Sequence, residues 1–241
     1  MKKKNAKKFF KTCGICLTYV VWALASFIAS QYVVTYLIYF IVGQAINEPL
    51  WVTICAAIYY PLSLFLIIFV PYRLFKKWKT NREELGLRDL PTWTDIGLAP
   101  IGLIASLLIG MALLAIFSLF PWFDGNQEQL TGFNGMLYNF GDKIAAFFTL
   151  VIAAPIAEEV IFRGWLYGKL RAKLNLPTAM FIVSLAFAVV HGQWNVGINV
   201  FALSLVLCGL REITGTIYSG ILVHMIKNGL AFYLLYILGI S

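Results

Sequence analysis

Seven apolar stretches divide this 241-residue chain, and most are long enough to cross a lipid bilayer as helix. They run near Cys13–Val42, Leu50–Tyr72, Ile96–Phe120, Asp142–Tyr167, Thr178–His191, Gly197–Leu210 and Thr216–Ile240. Hydrocarbon offers no hydrogen-bond partners, so each stretch must satisfy its own backbone, which a helix does internally. The expected fold is all-α: a polytopic membrane helical bundle of about seven transmembrane helices (six to eight), one integral membrane domain over residues 1–241. The fifth and sixth stretches are short, so one of them is expected to tilt or re-enter. An eighth helix would come from splitting a long stretch or from the loop at 121–141.

At 61% hydrophobic and 12% charged, the chain lies outside the range of ordinary soluble domains. A net charge of +8 can signal nucleic acid, but its distribution here reads as membrane topology. Six lysines precede the first stretch, and Arg73, Lys76, Lys77, Lys79, Arg82 and Arg88 follow the second. Arg163, Lys169, Arg171 and Lys173 lie in or after the second half of the fourth, and Arg211 follows the sixth. Thus 17 of the 19 Lys and Arg fall on one side, while the opposite loops hold Glu48, Asp124 and Glu128. The expected protein has its N-terminus cytoplasmic, its C-terminus outside and an odd number of spans, in the inner (plasma) membrane. Its partners are then the lipid bilayer and a membrane-associated peptide or protein, not nucleic acid; nothing in the sequence sets an oligomeric state.

The lysine-rich start and Ala23-Leu24-Ala25 resemble a signal peptide, but the apolar run of about 30 residues is too long for one. An uncleaved first helix is expected. Cys13, Cys16, Cys55 and Cys208 lie in or beside apolar segments, and the lone Cys13-x-x-Cys16 pair has no nearby His, so structural thiols are expected. Residues 73–95 are basic and amphipathic, with Trp78, Leu85, Leu87 and Trp93 among the charges. They read as a cytoplasmic interfacial segment on anionic headgroups, or as a plain linker. Gly102, Ser106 and Gly110, and likewise Gly164 and Gly168, recur every four residues and suit close helix packing.

Three polar clusters interrupt the apolar C-terminal half: Glu158-Glu159 with Arg163, Phe187 with His191, and His224 with Asn228. These hold both histidines of the chain. Ionisable groups in lipid-length segments are costly, so they pair, line a cavity or do chemistry. If Asn175–Pro177 turns a helical hairpin, a rise of about 1.5 Å per residue puts Glu158 and His191 at similar depth, roughly 25 Å from the turn. His224, 11 residues past the next turn near Ile213, is again deep. Glu159 and Arg163 stand i,i+4 in the favourable order for a helical ion pair, which leaves Glu158 unpaired. His224 and Asn228, also i,i+4, share a face. Phe187, one turn before His191, would wall the cavity. Lys227 beside the third cluster has no assigned role, and Trp194, Asn195 and Asn199 either line an entrance or form a loop.

These groups suit water activation and attack on an amide. Desolvation strengthens a carboxylate as a base. His191 would hold the same water or pass a proton to the leaving amine, while His224 and Asn228 are donors for a developing oxyanion. Glu158-Glu159-x-x-x-Arg163, Phe187-x-x-x-His191 and His224-x-x-x-Asn228 resemble, in order, the three motifs of the CAAX-protease and bacteriocin-processing (CPBP, or Abi) intramembrane peptidases. The resemblance covers residues 145–232, with only a general likeness upstream, including Glu84-Leu85-Gly86-Leu87. It implies that Glu158 and His191 activate water, that His224 and Asn228 stabilise the oxyanion, and that Glu159 and Arg163 support them.

Two His and a Glu are also a zinc-type donor set, but the His-Glu-x-x-His motif is absent; a metal-free site without cofactor is expected. An intramembrane endopeptidase is the leading reading. A non-catalytic bacteriocin-immunity or scaffolding protein of the same fold, and an ion-coupled transporter, are the others.

Overall fold

The computed structural model describes residues 2–43, 48–88, 90–124, 133, 137 and 139–239. Among these residues all regular structure is helical. Seven helices follow one another: α1 (Lys2–Val42), α2 (Pro49–Phe75), α3 (Trp93–Phe117), α4 (Phe140–Arg171), α5 (Leu176–Val189), α6 (Trp194–Thr214) and α7 (Tyr218–Ile237). Six are long and apolar enough to cross a membrane, and α5, with 14 residues, is the exception. Their outer surface carries side chains such as Phe40, Ile101 and Met111 that are mostly exposed. An apolar surface of this extent belongs in lipid, and the chain is a multi-pass membrane protein.

The helices match the seven apolar stretches, with two differences. α6 begins at Trp194, so Trp194, Asn195 and Asn199 form its first turns instead of a loop, and the Asn199 amide donates to the Asn195 carbonyl at 3.2 Å. α5 stops at Val189, so His191 lies in the turn beyond it. No eighth helix occurs among the described residues; most of the 121–141 loop lies outside them.

Local chemistry sets the helix starts. Thr92 and Asp95 form a reciprocal capping box on α3, and the second carboxylate oxygen of Asp95 accepts from Thr216 at 2.8 Å. That bond ties the start of α3 to the α6–α7 turn. Asn175 caps α5 by accepting from the Thr178 N–H at 3.1 Å, with Pro177 just inside. Along α3, Gly102, Ser106 and Gly110 are all buried, and α3 packs against α6 and α7 along the small-residue seam.

The Gly164–Gly168 pair works differently: it accepts a loop, not a helix. A Cβ on Gly164 would lie 3.1 Å from the Leu85 carbonyl, and one on Gly168 would lie 3.2 Å from that of Glu84. The segment after α2 thus folds back over the helix ends. Lys169 donates to the Lys79 carbonyl at 2.8 Å and to Glu84 at 3.1 Å, Arg211 donates to the Glu84 carbonyl, and the Ile217 N–H donates to that of Gly86. Trp78 holds a left-handed φ of 55°, a strain of about 1–2 kcal/mol for a non-glycine residue. Packing offsets it, since the indole meets Tyr19, Trp22 and Trp165 with ring centroids 5.1–6.0 Å apart. Leu85 and Leu87 also turn inward, whereas Trp93 stays exposed.

α4 is not a uniform α-helix. Widened π turns at Phe148–Ala153 and Val160–Leu166 bracket a short α-helical piece, Ala154–Glu159. Pro155 in that piece lacks an N–H, so the ordinary i→i−4 bond to Val151 cannot form. Such wide turns inside α-helices recur at functional sites, and this one sets the direction of two adjacent carboxylates.

Candidate active site

Glu158 and Glu159 end the α-helical piece of α4, Glu159 buried in the bundle and Glu158 partly exposed. Glu159 is fully buried, and its Oε1 accepts from Arg163 Nη1 at 2.9 Å, the expected ion pair. The same oxygen also accepts from His224 Nδ1 at 3.1 Å, a link between α4 and α7 that helical spacing alone did not reveal. The Arg163 guanidinium lies 4.2 Å from the ring centroid of Phe187, on α5. A desolvated contact of this kind contributes about 2 kcal/mol. Glu159 and Arg163 therefore form a buried support joining three helices.

Glu158 keeps some exposure, 12% of its side chain. It is not unpaired, as the spacing had suggested. Tyr60 on α2 donates its hydroxyl to Oε1 at 3.0 Å, and Oε2 stands 3.9 Å from His224 Nε2. Tyr60 is the residue that sequence reasoning missed. It sits in a continuous apolar run beside Tyr59, and nothing in that run's pattern separates it from a lipid-facing aromatic.

The two histidines are both oriented through Nδ1. His191 Nδ1 is 2.7 Å from the Phe187 carbonyl. A carbonyl only accepts, so Nδ1 carries the proton and a neutral ring presents the Nε2 lone pair to the cleft. His224 Nδ1 donates to the Glu159 carboxylate, so a proton on Nε2 would point toward Glu158 and the cleft. Phe187 is fully buried and holds both rings edge-on, with centroids 4.9 Å from His191 and 5.9 Å from His224. It is the expected wall. Glu158, His224 and Lys227 all lie within electrostatic range of His191.

Asn228 stands one turn beyond His224. Its amide donates to the Leu150 carbonyl at 2.9 Å, inside the first π turn of α4. That bond uses one of the two amide hydrogens and leaves the other. Backbone approach is close here as well: a Cβ on Gly220 of α7 would lie 3.2 Å from Glu159 Oε2. An apolar groove of about 500 Å³ on the flank of α5, lined by Leu113, Phe181, Leu185, Trp194 and Phe201 among others, includes none of these polar side chains. The groove and the polar cluster are thus separate features.

The structure therefore brings Glu158, Glu159, Arg163, Phe187, His191 and His224 into one cluster, and ties Asn228 to Leu150 of α4 beside it. Residues 140–230 match the family model described as type II CAAX prenyl endopeptidase Rce1-like. No curated protein and no solved structure gives a significant match. The matched region holds every motif residue named above, on α4, α5 and α7 and the turn between α5 and α6. Over residues 140–230 this multi-pass membrane protein thus resembles CAAX-type proteases.

Proposed function

We propose that this protein is an intramembrane endopeptidase that hydrolyses a peptide bond of a membrane-associated peptide or protein, with Glu158 as general base. The observation that carries the reading is the division of labour between adjacent carboxylates. Glu159 is paired with Arg163 and His224, while Glu158 is partly exposed and, among the described residues, accepts from Tyr60 and stands 3.9 Å from His224 Nε2. A carboxylate in that setting is available to take a proton.

In the proposed reaction Glu158 accepts a proton from water as the water oxygen attacks the peptide carbonyl carbon. His191 Nε2 accepts a hydrogen bond from the water's other O–H, which stays on the attacking oxygen, and so fixes the water's direction. The carbonyl π pair moves to oxygen, and the oxyanion is met by a proton on His224 Nε2 and by the second amide hydrogen of Asn228. Collapse of the tetrahedral carbon breaks the C–N bond, and the proton held by Glu158 passes to the leaving nitrogen. The products are a carboxylic acid and an amine. Phe187, Glu159 and Arg163 hold the reacting groups in place without touching substrate.

The chemistry we propose needs no metal. Among the described residues no group of three or more His, Cys, Asp or Glu side chains is placed to hold a metal ion, which supports a reaction carried by Glu158 and the two histidines themselves. The basic loops support an inner (plasma) membrane location with the N-terminus cytoplasmic.

The test is Glu158→Gln, which keeps shape and removes the base. Comparison of membrane and secreted peptides from wild-type and variant cells by mass spectrometry should show fragments that disappear in the variant, at equal protein level. A purified variant that still cleaves a verified substrate would remove Glu158 from this role. Unchanged peptide profiles, with a biological phenotype intact, would favour a non-catalytic immunity or scaffolding protein instead.

A further inference from the structure

A smaller pocket, of about 230 Å³, lies away from the proposed active site, where the segment after α2 folds over the end of α4. Thr80 and Glu84 line it from the segment, and Trp165 and Lys169 from α4. Lys169 stands two residues before the end of the spanning helix Phe140–Arg171, which has 32 residues. Such a helix is about 48 Å long, well beyond the roughly 30 Å of hydrocarbon, so its last turn stands among lipid headgroups. The two walls are fixed to each other. Lys169 bonds Glu84 across the pocket, Arg211 holds the Glu84 carbonyl, and the segment comes close to the backbone at Gly164 and Gly168.

The polar groups of this pocket carry both signs, and each keeps bonding capacity in hand. The Lys169 ammonium gives two of its three hydrogens, to the Lys79 carbonyl at 2.8 Å and to Glu84 Oε2 at 3.1 Å. Trp165 is 1% exposed, and its buried indole N–H has no acceptor among the described residues. Buried donors are rarely left in that state. Glu84 bonds Lys169 through Oε2, and its Oε1 takes no hydrogen bond from the described residues. Thr80 gives its hydroxyl hydrogen to the Trp78 carbonyl at 2.9 Å, and the oxygen can still accept. Two donors, one of them cationic, thus adjoin two acceptors, one of them anionic. A simple anion would meet Glu84 here and a simple cation would meet Lys169. A zwitterion with closely spaced charges satisfies both.

We infer that this pocket binds the phosphoethanolamine headgroup of a membrane lipid, a phosphate diester with a primary ammonium two carbons away. The phosphate oxygens accept from Lys169 and from the Trp165 N–H, and the ammonium donates to Glu84 and Thr80. The size agrees. A water-sized group takes about 30 Å³, so the pocket holds about eight of them, and a phosphate with its ethanolamine has eight non-hydrogen atoms. A choline headgroup keeps the positive charge but has no N–H to donate, and a glycerol headgroup brings no cation to Glu84. The exposed Lys76, Lys77, Lys79 and Arg82 draw anionic lipid without such selection. A preference for ethanolamine is therefore the mark of this pocket. The bound headgroup clasps the segment after α2 to the end of α4.

The test titrates lipids of matched acyl chains onto the full-length protein in detergent and counts bound copies by native mass spectrometry. The first phosphatidylethanolamine is expected to bind about tenfold tighter than phosphatidylglycerol or phosphatidylcholine, the worth of a hydrogen bond to a charged group. Stepwise N-methylation of the headgroup should erode that preference. Trp165→Phe, which keeps a ring and removes the N–H, should weaken the first ethanolamine lipid several-fold. Glu84→Gln should bring ethanolamine and choline lipids level, with thermal unfolding confirming that each variant is folded. If a variant fails to fold, the headgroup series on wild type decides alone. Soluble glycerophosphoethanolamine should compete only at concentrations far above those of the lipid; competition at equal concentration overturns the lipid source in favour of a free zwitterion. Lipids that bind with no preferred first copy, or a preference that survives both Glu84→Gln and Trp165→Phe, overturn the inference.

Discussion

The hydroxyl of Tyr60, on α2, donates to Oε1 of Glu158, on α4, across 3.0 Å. The carboxylate proposed as general base is thereby held from a helix outside the region that matches the protease family. One consequence is that α2 forms a wall of the cleft. Another is that the direction of Glu158 depends on the packing of Tyr60 against Tyr59 and Phe27, whose ring centroids lie 4.4 and 6.3 Å from that of Tyr60.

Tyr60→Phe should therefore lower kcat about 10- to 100-fold, the worth of a hydrogen bond to a charged group. KM should change little, and the thermal unfolding midpoint should move by only a few degrees, because the ring still packs. Steady-state kinetics on a verified substrate checks this; an unchanged kcat would reduce Tyr60 to a packing residue.

Breaking the buried Glu159–Arg163 pair should cost far more stability than an exposed pair. Arg163→Met strands a buried carboxylate and removes the cation over Phe187, at a cost of about 3–5 kcal/mol. Thermal unfolding in detergent should show Glu159→Gln and Arg163→Met each strongly destabilised, with the double variant losing clearly less than the two losses added. Additive losses would mean that the two side chains do not act as a pair.

The bond of Asn228 to the Leu150 carbonyl and its proposed oxyanion contact separate by magnitude. Losing its bond to the Leu150 carbonyl should cost about 1 kcal/mol of stability. Losing an oxyanion donor should cost about 10²–10³ in rate. Asn228→Ala is expected to show both; a rate loss below tenfold together with the stability loss would leave only the helix tie.

Gly220→Ala adds one methyl group 3.2 Å from Glu159 Oε2. The carboxylate must shift by a few tenths of an ångström, and His224 with it. Activity should fall about tenfold although every polar group is retained, since small misplacements near reacting groups are costly. Kinetics of this variant beside Gly14→Ala, at a position with open space around it, checks the prediction.

Much of the architecture was readable because lipid imposes simple rules. Apolar run length gave the seven helices, and the rarity of ionisable groups within those runs marked Glu158, Glu159, Arg163, His191 and His224 before any geometry was known. Helical spacing gave the Glu159–Arg163 pair and the shared side of His224 and Asn228. What spacing could not give was contact between helices. The bond from Tyr60 to Glu158 joins residues 98 apart, and the second bond of Glu159, to His224, joins residues 65 apart. The segment after α2 was misleading in another way: its apolar residues read as a face for lipid, yet Trp78, Leu85 and Leu87 turn onto the protein. Composition does not distinguish those two apolar environments.

The shortness of α5 bears on how hydrolysis obtains its second reactant. Fourteen helical residues span only about 21 Å, against a hydrocarbon thickness of about 30 Å. The turn Val190–Gln193 that follows, with His191 in it, has backbone amides and carbonyls outside any helix. Lipid cannot solvate such groups, and hydrophobic mismatch of this size draws the headgroups inward beside a short helix. The polar boundary of the membrane therefore dips toward His191. In the proposed reaction water would reach Glu158 and His191 along that depression, so a helix too short to cross the membrane would become the route by which a bond buried in lipid is exposed to hydrolysis.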